Sequence, residues 1–298
     1  MKYLKVDEVS KKWNISTRSV RNYCHQGRIE GAFLEGKTWY IPEEASKPQR
    51  IRTQTKNKRT LLHVLKGEKD SHLSGGIYHK IQIEFTYNSN HIEGSRLSKE
   101  QTRYIFETNT IGIENEIVHV DDIVETVNHF RCIDYIIDNV NKKITEDMIK
   151  KLYFILKTGT SDSQKEWFRV GEYKKYPNEV GGRETTSPEN VYKEMKELLK
   201  DYYLKSTHTL DDLLEFHVRF ECIHGFQDGN GRVGRLLLFK ECLKNNIVPF
   251  IIDENLKMFY YRGISRFYEE KGYLRDTCLT GQDRFKQYLD YFEIEYEK

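Results

Sequence analysis

Between His224 and Arg235 the chain reads HGFQDGNGRVGR, which sets an imidazole, a carboxylate, closely spaced glycines and two arginines within twelve residues. Each of these suits the handling of a triphosphate. Gly229, Asn230 and Gly231 let the backbone turn so that successive N–H groups converge, an anion nest at the start of a helix running through RVGRLLLFKECL. Arg232 and Arg235 lie three apart, share a face of its first turn and reach different phosphates. Val233 and Gly234 complete a nucleotide-binding run from Asp228 to Arg235. Asp228 is a hard oxygen ligand beside the nest, suited to Mg2+ (or Mn2+) whose remaining positions a nucleotide fills. His224, with an ordinary pKa of about 6.5, takes a proton from an incoming hydroxyl. Phe226 is expected to turn inward and anchor the loop. Together these groups imply attack of a hydroxyl on phosphorus, with the rate supplied mainly by positioning and charge neutralisation.

The same stretch contains GNGRVG, a G-x-G-x-x-G. A dinucleotide site of that pattern needs a buried strand just before the first glycine and an acidic residue about twenty positions on. Here a helix and then the polar His224, Gln227 and Asp228 lead in, so that reading fails.

Helices must position this run. LDDLLEFHVRFECIHGF places Leu210, Leu213, Leu214, His217 and Phe220 on one stripe and predicts a helix leading into His224. Helical periodicity dominates from about Leu61 almost to the C-terminus. YKKYPNEVGGRETTSPENV departs from it, because Pro177, Gly181-Gly182 and Pro188 suit a hairpin or loop. At the other end, residues 1–48 form a patterned unit. A helix is expected over Val6–Trp13, then a second that Ser16 caps and Gly27 closes, with Val20 and Tyr23 inward. Thr17, Arg18 and Arg21 lie on the outer face of its first turns. GAFLEGKTWYIP alternates as a hairpin around Glu35-Gly36, with Lys37 at its basic tip. This unit resembles the winged helix-turn-helix of the MerR and excisionase type, which implies DNA as its partner. A packing module with solvated arginines is the alternative.

Residues 49–60 read as a basic linker and 61–298 as the second domain. The fold expected is therefore all-α with one β-hairpin excursion, plus a small winged helix-turn-helix domain. Although the formal net charge is only +2, basic residues outnumber acidic ones roughly two to one in the first sixty positions, which points to an anionic partner for the N-terminus alone. No apolar run approaches a membrane span, and MKYLKVDEVSKKW has no apolar core of a signal peptide. The five cysteines, Cys24, Cys132, Cys222, Cys242 and Cys278, are scattered and never in C-x-x-C spacing. A reducing cytoplasm is the expected location and no membrane partner is expected.

The run from His224 to Arg235 resembles the core signature of the Fic family, H-P-F-x-[DE]-G-N-G-R-x-x-R, at every position but Gly225, where the family usually has proline. The resemblance implies a Fic-type helical core. It implies transfer of AMP from ATP to a Ser, Thr or Tyr hydroxyl of a target protein, with pyrophosphate leaving. It makes His224 the general base, Asp228 the metal ligand and the Asn230-Gly231 backbone the phosphate cradle, with Arg232 and Arg235 on the phosphates. In the related Doc toxins a lysine stands at the place of Gly231 and the chemistry becomes phosphorylation, so Gly231 favours nucleotidyl transfer. Val180, Gly181, Gly182 and Arg183 resemble the family's flap, whose edge strand pairs with the target backbone and lines the nucleotide site; an ordinary surface loop is the alternative. Tyr260 and Tyr261 fall where the family often walls the adenine pocket with a tyrosine pair, core packing being the alternative. Tyr268 stands where some relatives carry an asparagine near the base.

NSNHIEGSRLS holds Ser89, Glu93 and Gly94 in the spacing [ST]-x-x-x-E-[GN], which resembles the inhibitory motif of Fic proteins, here on a helix expected around 76–94. Glu93 is expected to pair with Arg235, removing a clamp on the γ-phosphate and adding negative charge beside it. Relief then requires a conformational or oligomeric change, so a homo-oligomer is among the candidate partners. Glu93 has an alternative role, positioning a water that removes AMP. The competing class is a transcription regulator whose C-terminal domain only senses ATP. A sensor needs neither His224 beside a metal-bound Asp228 nor a docking flap, so an autoinhibited nucleotidyltransferase that also binds DNA explains more residues.

Overall fold

The computed structural model of the chain describes residues 2–48, 60–112 and 117–296. They fall in two compact units, Met1–Asn57 and Lys58–Lys298. Apart from Thr60, the linker expected over 49–60 lies outside the described residues.

In the first unit β1 (Tyr3–Lys5) leads into α1 (Val6–Trp13) and α2 (Thr17–His25), followed by the hairpin β2 (Phe33–Glu35) and β3 (Thr38–Pro42). The strands form an antiparallel sheet in the order β1-β3-β2. Asn14 ends α1 in the left-handed region (φ 50°), and the Ser16 hydroxyl accepts the Ser19 N–H at 3.2 Å to cap α2. Gly27 (φ 65°) closes α2 as expected, a conformation that glycine adopts without strain. Val6, Val9, Trp13, Val20, Cys24, Ile29 and Ile41 make this unit's own core. Tyr23 packs against it only half-buried.

The second unit is helical: α3 (Leu61–Asp70), α4 (Ile77–Ile92), α5 (Lys99–Thr108), α6 (Val120–Asn139), α7 (Glu146–Lys157), α8 (Val191–Tyr202), α9 (Leu210–Ile223), α10 (Asn230–Lys244), α11 (Glu254–Ser265) and α12 (Gly272–Tyr291). The expected excursion is the hairpin β4 (Glu179–Val180) and β5 (Arg183–Glu184). Helix α10 is buried on nearly all sides and packs on α4, α6, α7 and α9, as a helix does when it forms the centre of a bundle. The predicted stripe of α9 is inward at Leu213, Leu214, His217 and Phe220, while Leu210 is half-buried. No described helix is long and apolar enough to cross a membrane.

Candidate functional site

The site is built at the junction of α9 and α10. His224 terminates α9 in the left-handed region (φ 49°, ψ 55°), its N–H donating to the Phe220 carbonyl at 3.1 Å. A residue with a β-carbon is strained there, and such strain concentrates at functional positions. Phe226 turns inward as expected, fully buried and stacked on Tyr153 with ring centroids 4.0 Å apart. The Asn230 side chain closes the loop: its Oδ1 accepts the Phe226 N–H and its Nδ2 donates to the Phe226 carbonyl, both at 2.8 Å. Gly229 (φ 77°) then opens α10, whose first intrahelical bond runs from the Val233 N–H to the Gly229 carbonyl. The N–H groups of Asn230, Gly231 and Arg232 therefore have no intrahelical acceptor, the arrangement that binds anions at helix starts. At Gly225 a β-carbon would meet Val191 Cγ1 at 3.2 Å and Tyr173 at 3.4 Å, so α8 approaches too closely for a larger residue to sit without adjustment.

Burial, reinforced by the Lys174 ammonium, lowers the His224 pKa to about 4, so the imidazole is neutral at physiological pH and able to accept a proton. Lys174 is itself brought down to about 8 by burial; its Nζ donates to Asn178 Oδ1 and Thr185 Oγ1, each at 2.6 Å. Burial works against ionisation of Asp228, yet Arg232 and Lys157 hold its carboxyl down to about 2. Among the described residues no group of three or more His, Cys, Asp or Glu is arranged to hold a metal; Asp228 offers a single carboxylate, which suits a cation that phosphate oxygens also ligate.

Both arginines are buried and engaged by carboxylates. Arg232 pairs with Glu125 and, at 3.3 Å, with Asp228. Arg235 donates to Ser89 Oγ at 3.1 Å, to the Ser89 carbonyl at 2.9 Å and to Glu93 Oε1 at 2.7 Å. Its Nη1 is buried and finds no hydrogen-bond partner among the described residues. Glu93 owes its place to the end of α4. There Gly94 (φ 99°) donates its N–H to the His91 carbonyl at 3.0 Å, and Ser95 donates to Asn90 at 3.1 Å, a termination that needs a left-handed residue at this step. A β-carbon on Gly231 would lie 2.4 Å from Glu93 Oε1. The Glu93 carboxylate thus lies directly over the first turn of α10.

The hairpin turns through Gly181 (φ 57°) and Gly182 (φ 75°) between Val180 and Arg183, the two-residue geometry that favours glycine. Its stem is tied to the loop: the Lys174 N–H donates to the Gly225 carbonyl at 2.8 Å and Asn178 Nδ2 to the Phe226 carbonyl at 3.0 Å. Arg183 donates to the Ser265 carbonyl at 2.9 Å. The tyrosine pair divides. Tyr260 is a core residue, 1% exposed, with its hydroxyl 2.5 Å from His217 Nε2, whereas Tyr261 and Tyr268 present exposed rings. In the N-terminal unit Arg18, Arg21 and Lys37 are exposed and Thr17 half-buried.

Sequence reading missed Glu125, Lys157, Lys174 and Glu221. Glu221 on α9 is a buried carboxyl raised to about 8 by desolvation, which Arg235 opposes and Glu93 reinforces. None of the four stands in a recognisable local pattern.

Two family models match the chain: the Fic/DOC family over residues 143–241 and a helix-turn-helix domain over residues 3–45. The chain therefore carries a Fic domain behind an N-terminal helix-turn-helix domain. Among curated relatives it is similar to protein adenylyltransferase fic-1 of Caenorhabditis elegans, 26% identical over 189 residues that cover 60% of this chain and 35% of the relative. It is also similar to protein adenylyltransferase Fic of Nematostella vectensis, 26% identical over 194 residues, covering 62% and 43%. The chain thus spans well under half the length of these relatives. Among solved structures it resembles a Fic domain containing signaling protein from Bacteroides thetaiotaomicron, with a TM-score of 0.58 and 25% identity, covering 77% of this chain and 90% of that one. Fic-1 of Caenorhabditis elegans shares the fold at a TM-score of 0.58 and 19% identity, covering 78% and 72%.

Proposed function

We propose that the chain is a protein adenylyltransferase held inactive by its own α4, and that its N-terminal unit binds DNA. The observation that carries this reading is the neutral imidazole of His224 beside the open start of α10, with Glu93 bonded to the arginine that would otherwise meet a phosphate. In the active state the ATP phosphates lie on the N–H groups of Asn230, Gly231 and Arg232, with the Arg232 and Arg235 guanidinium groups alongside. Asp228 holds Mg2+ (or Mn2+), which supplies charge neutralisation. His224 accepts the proton of a target Ser, Thr or Tyr hydroxyl as its oxygen bonds to the α-phosphorus and pyrophosphate departs. The Val180–Arg183 hairpin docks the target backbone, and Tyr261 flanks the base.

With Glu93 on Arg235, the triphosphate is denied that guanidinium and meets a like charge instead. A conformational or oligomeric change that withdraws α4 restores both. Arg18 and Arg21, one turn apart on α2, with Thr17 and Lys37, form the DNA-contacting set. The five unpaired cysteines support a reducing, cytoplasmic setting.

The test incubates the Glu93→Gly chain with lysate and α-labelled ATP, with and without His224→Ala. Labelled protein that depends on His224 supports the transferase. Equal labelling in both refutes it, and ATP binding without any labelling leaves the ATP-sensing regulator. Loss of label from a pre-modified target on adding the parent chain would instead assign Glu93 to AMP removal.

A further inference from the structure

The carboxylate assigned to the divalent cation is already gripped on one side. Lys157, the last residue of α7, and Glu125 on α6 form a ring of charges with Asp228 and Arg232. Lys157 Nζ lies 2.7 Å from Asp228 Oδ2 and 2.5 Å from Glu125 Oε1. Arg232 pairs with Glu125 Oε2 through Nη1 and with the same Asp228 Oδ2, at 3.3 Å, through Nη2. Glu125 therefore gives one oxygen to each cation, and both cations take the same oxygen of Asp228. Lys157 is fixed further by Asp162 Oδ2 at 3.3 Å and by the Phe168 ring, whose centroid is 5.3 Å from Nζ. The Lys157 side chain is 3% exposed, while that of Asp228 is 48% exposed.

We propose that Lys157 and Glu125 are positioning residues for the cation site: they hold Oδ2 of Asp228 so that its other oxygen is presented to Mg2+. This rests on the reading of Asp228 as the metal ligand. A carboxylate on a free rotor offers its oxygens in many orientations, and Mg2+ demands near-octahedral geometry. Anchoring one oxygen removes that freedom before the nucleotide arrives, as partners behind a ligand do in other metal sites. Glu125 has a second part. Without it two cations would crowd one carboxylate and repel the incoming metal; with it the ring is balanced, as buried charges require.

The experiment uses the full chain carrying Glu93→Gly and measures ATP binding as Mg2+ is titrated, with Mn2+ binding in the presence of ATP followed by electron paramagnetic resonance. Lys157→Met is expected to raise the Mg2+ concentration for half-maximal effect about tenfold to a hundredfold, while metal-free ATP binding stays near that of the parent. Lys157→Arg, which keeps the charge, is expected to recover much of the loss. The double variant Lys157→Met with Glu125→Gln removes one charge of each sign, so it folds where the single variant leaves a carboxylate uncompensated, and it shows the same shift. A folded variant with the parent's Mg2+ dependence overturns the positioning role alone. A parent with no Mg2+-dependent ATP binding overturns the functional reading beneath it. Unfolding of both the single and double variants assigns the ring to stability and overturns the proposal too.

Discussion

Replacing Glu93 with glycine tests whether the carboxylate over α10 is a brake. The side chain gives Arg235 a charge-assisted bond at 2.7 Å, with Arg235 only 4% and Glu93 25% exposed. Such a bond is worth about 1.5–3 kcal/mol net. Arg235 keeps both contacts to Ser89, so the lower end applies to stability. A loss of about 1.5–2 kcal/mol lowers Tm by roughly 3–8 °C in a domain of this size. The same interaction becomes available to a phosphate, and the repulsion of a carboxylate is removed. Transfer of label from α-labelled ATP is then expected to rise about tenfold to a hundredfold, since each 1.4 kcal/mol is a factor of ten. The assay pairs initial labelling rates with thermal melts in the presence and absence of ATP. Glu93→Gln, which keeps size and loses charge, should fall between parent and Glu93→Gly. A Glu93→Gly chain that melts lower yet neither labels faster nor gains more from ATP than the parent would refute the argument.

Four further outcomes follow from the same geometry. His224→Ala in the Glu93→Gly background is expected to cut labelling by about a hundredfold to ten-thousandfold with little change in Tm, read by the same two assays. Glu221 has its folded pKa raised to about 8, so the folded carboxyl holds a proton that the unfolded chain releases, and stability falls as pH climbs from the ordinary carboxylate range towards that value. Glu221→Gln should therefore melt near the parent in mild acid and clearly above it at alkaline pH; parallel curves would contradict this. A β-carbon on Gly234 would lie 2.4 Å from Glu221 Oε1 and 2.9 Å from His217 Cε1, so Gly234→Ala should lose about 1–3 kcal/mol in a denaturant titration. Arg18→Ala with Arg21→Ala should weaken DNA binding and flatten its dependence on salt, measured by fluorescence anisotropy; an unchanged salt slope would remove these two from the DNA surface.

The candidate site was legible where it is contiguous. His224 to Arg235 lie in one loop and one helical turn, so residue types and spacing alone assemble the nest, the carboxylate and the imidazole. The helical core and hairpin were legible for a related reason, since period and glycine placement are local. Glu125 and Lys157 were not. They meet Arg232 and Asp228 across 107 and 71 residues, and a charged residue near a helix end looks the same whether it is solvated or folded beneath a distant loop. Tyr260 and Tyr261 show a similar limit: adjacent aromatics on a helix point in different directions, and only the packing decides that one meets His217 while the other meets solvent. The Glu93-Gly94 step reads as a helix end in the sequence, but the approach of Glu93 to Gly231 depends on how α4 crosses α10.

The two bonds between the hairpin stem and the loop make the residues on either side of Phe226's amide a shared anchorage. Lys174 and Asn178 hold the carbonyls of Gly225 and Phe226, the very peptides that follow His224. A pull on the hairpin is therefore transmitted by two short links to the loop one and two residues beyond His224, so a shift of the Val180–Arg183 turn and a shift of the loop that carries Asp228 are mechanically one adjustment.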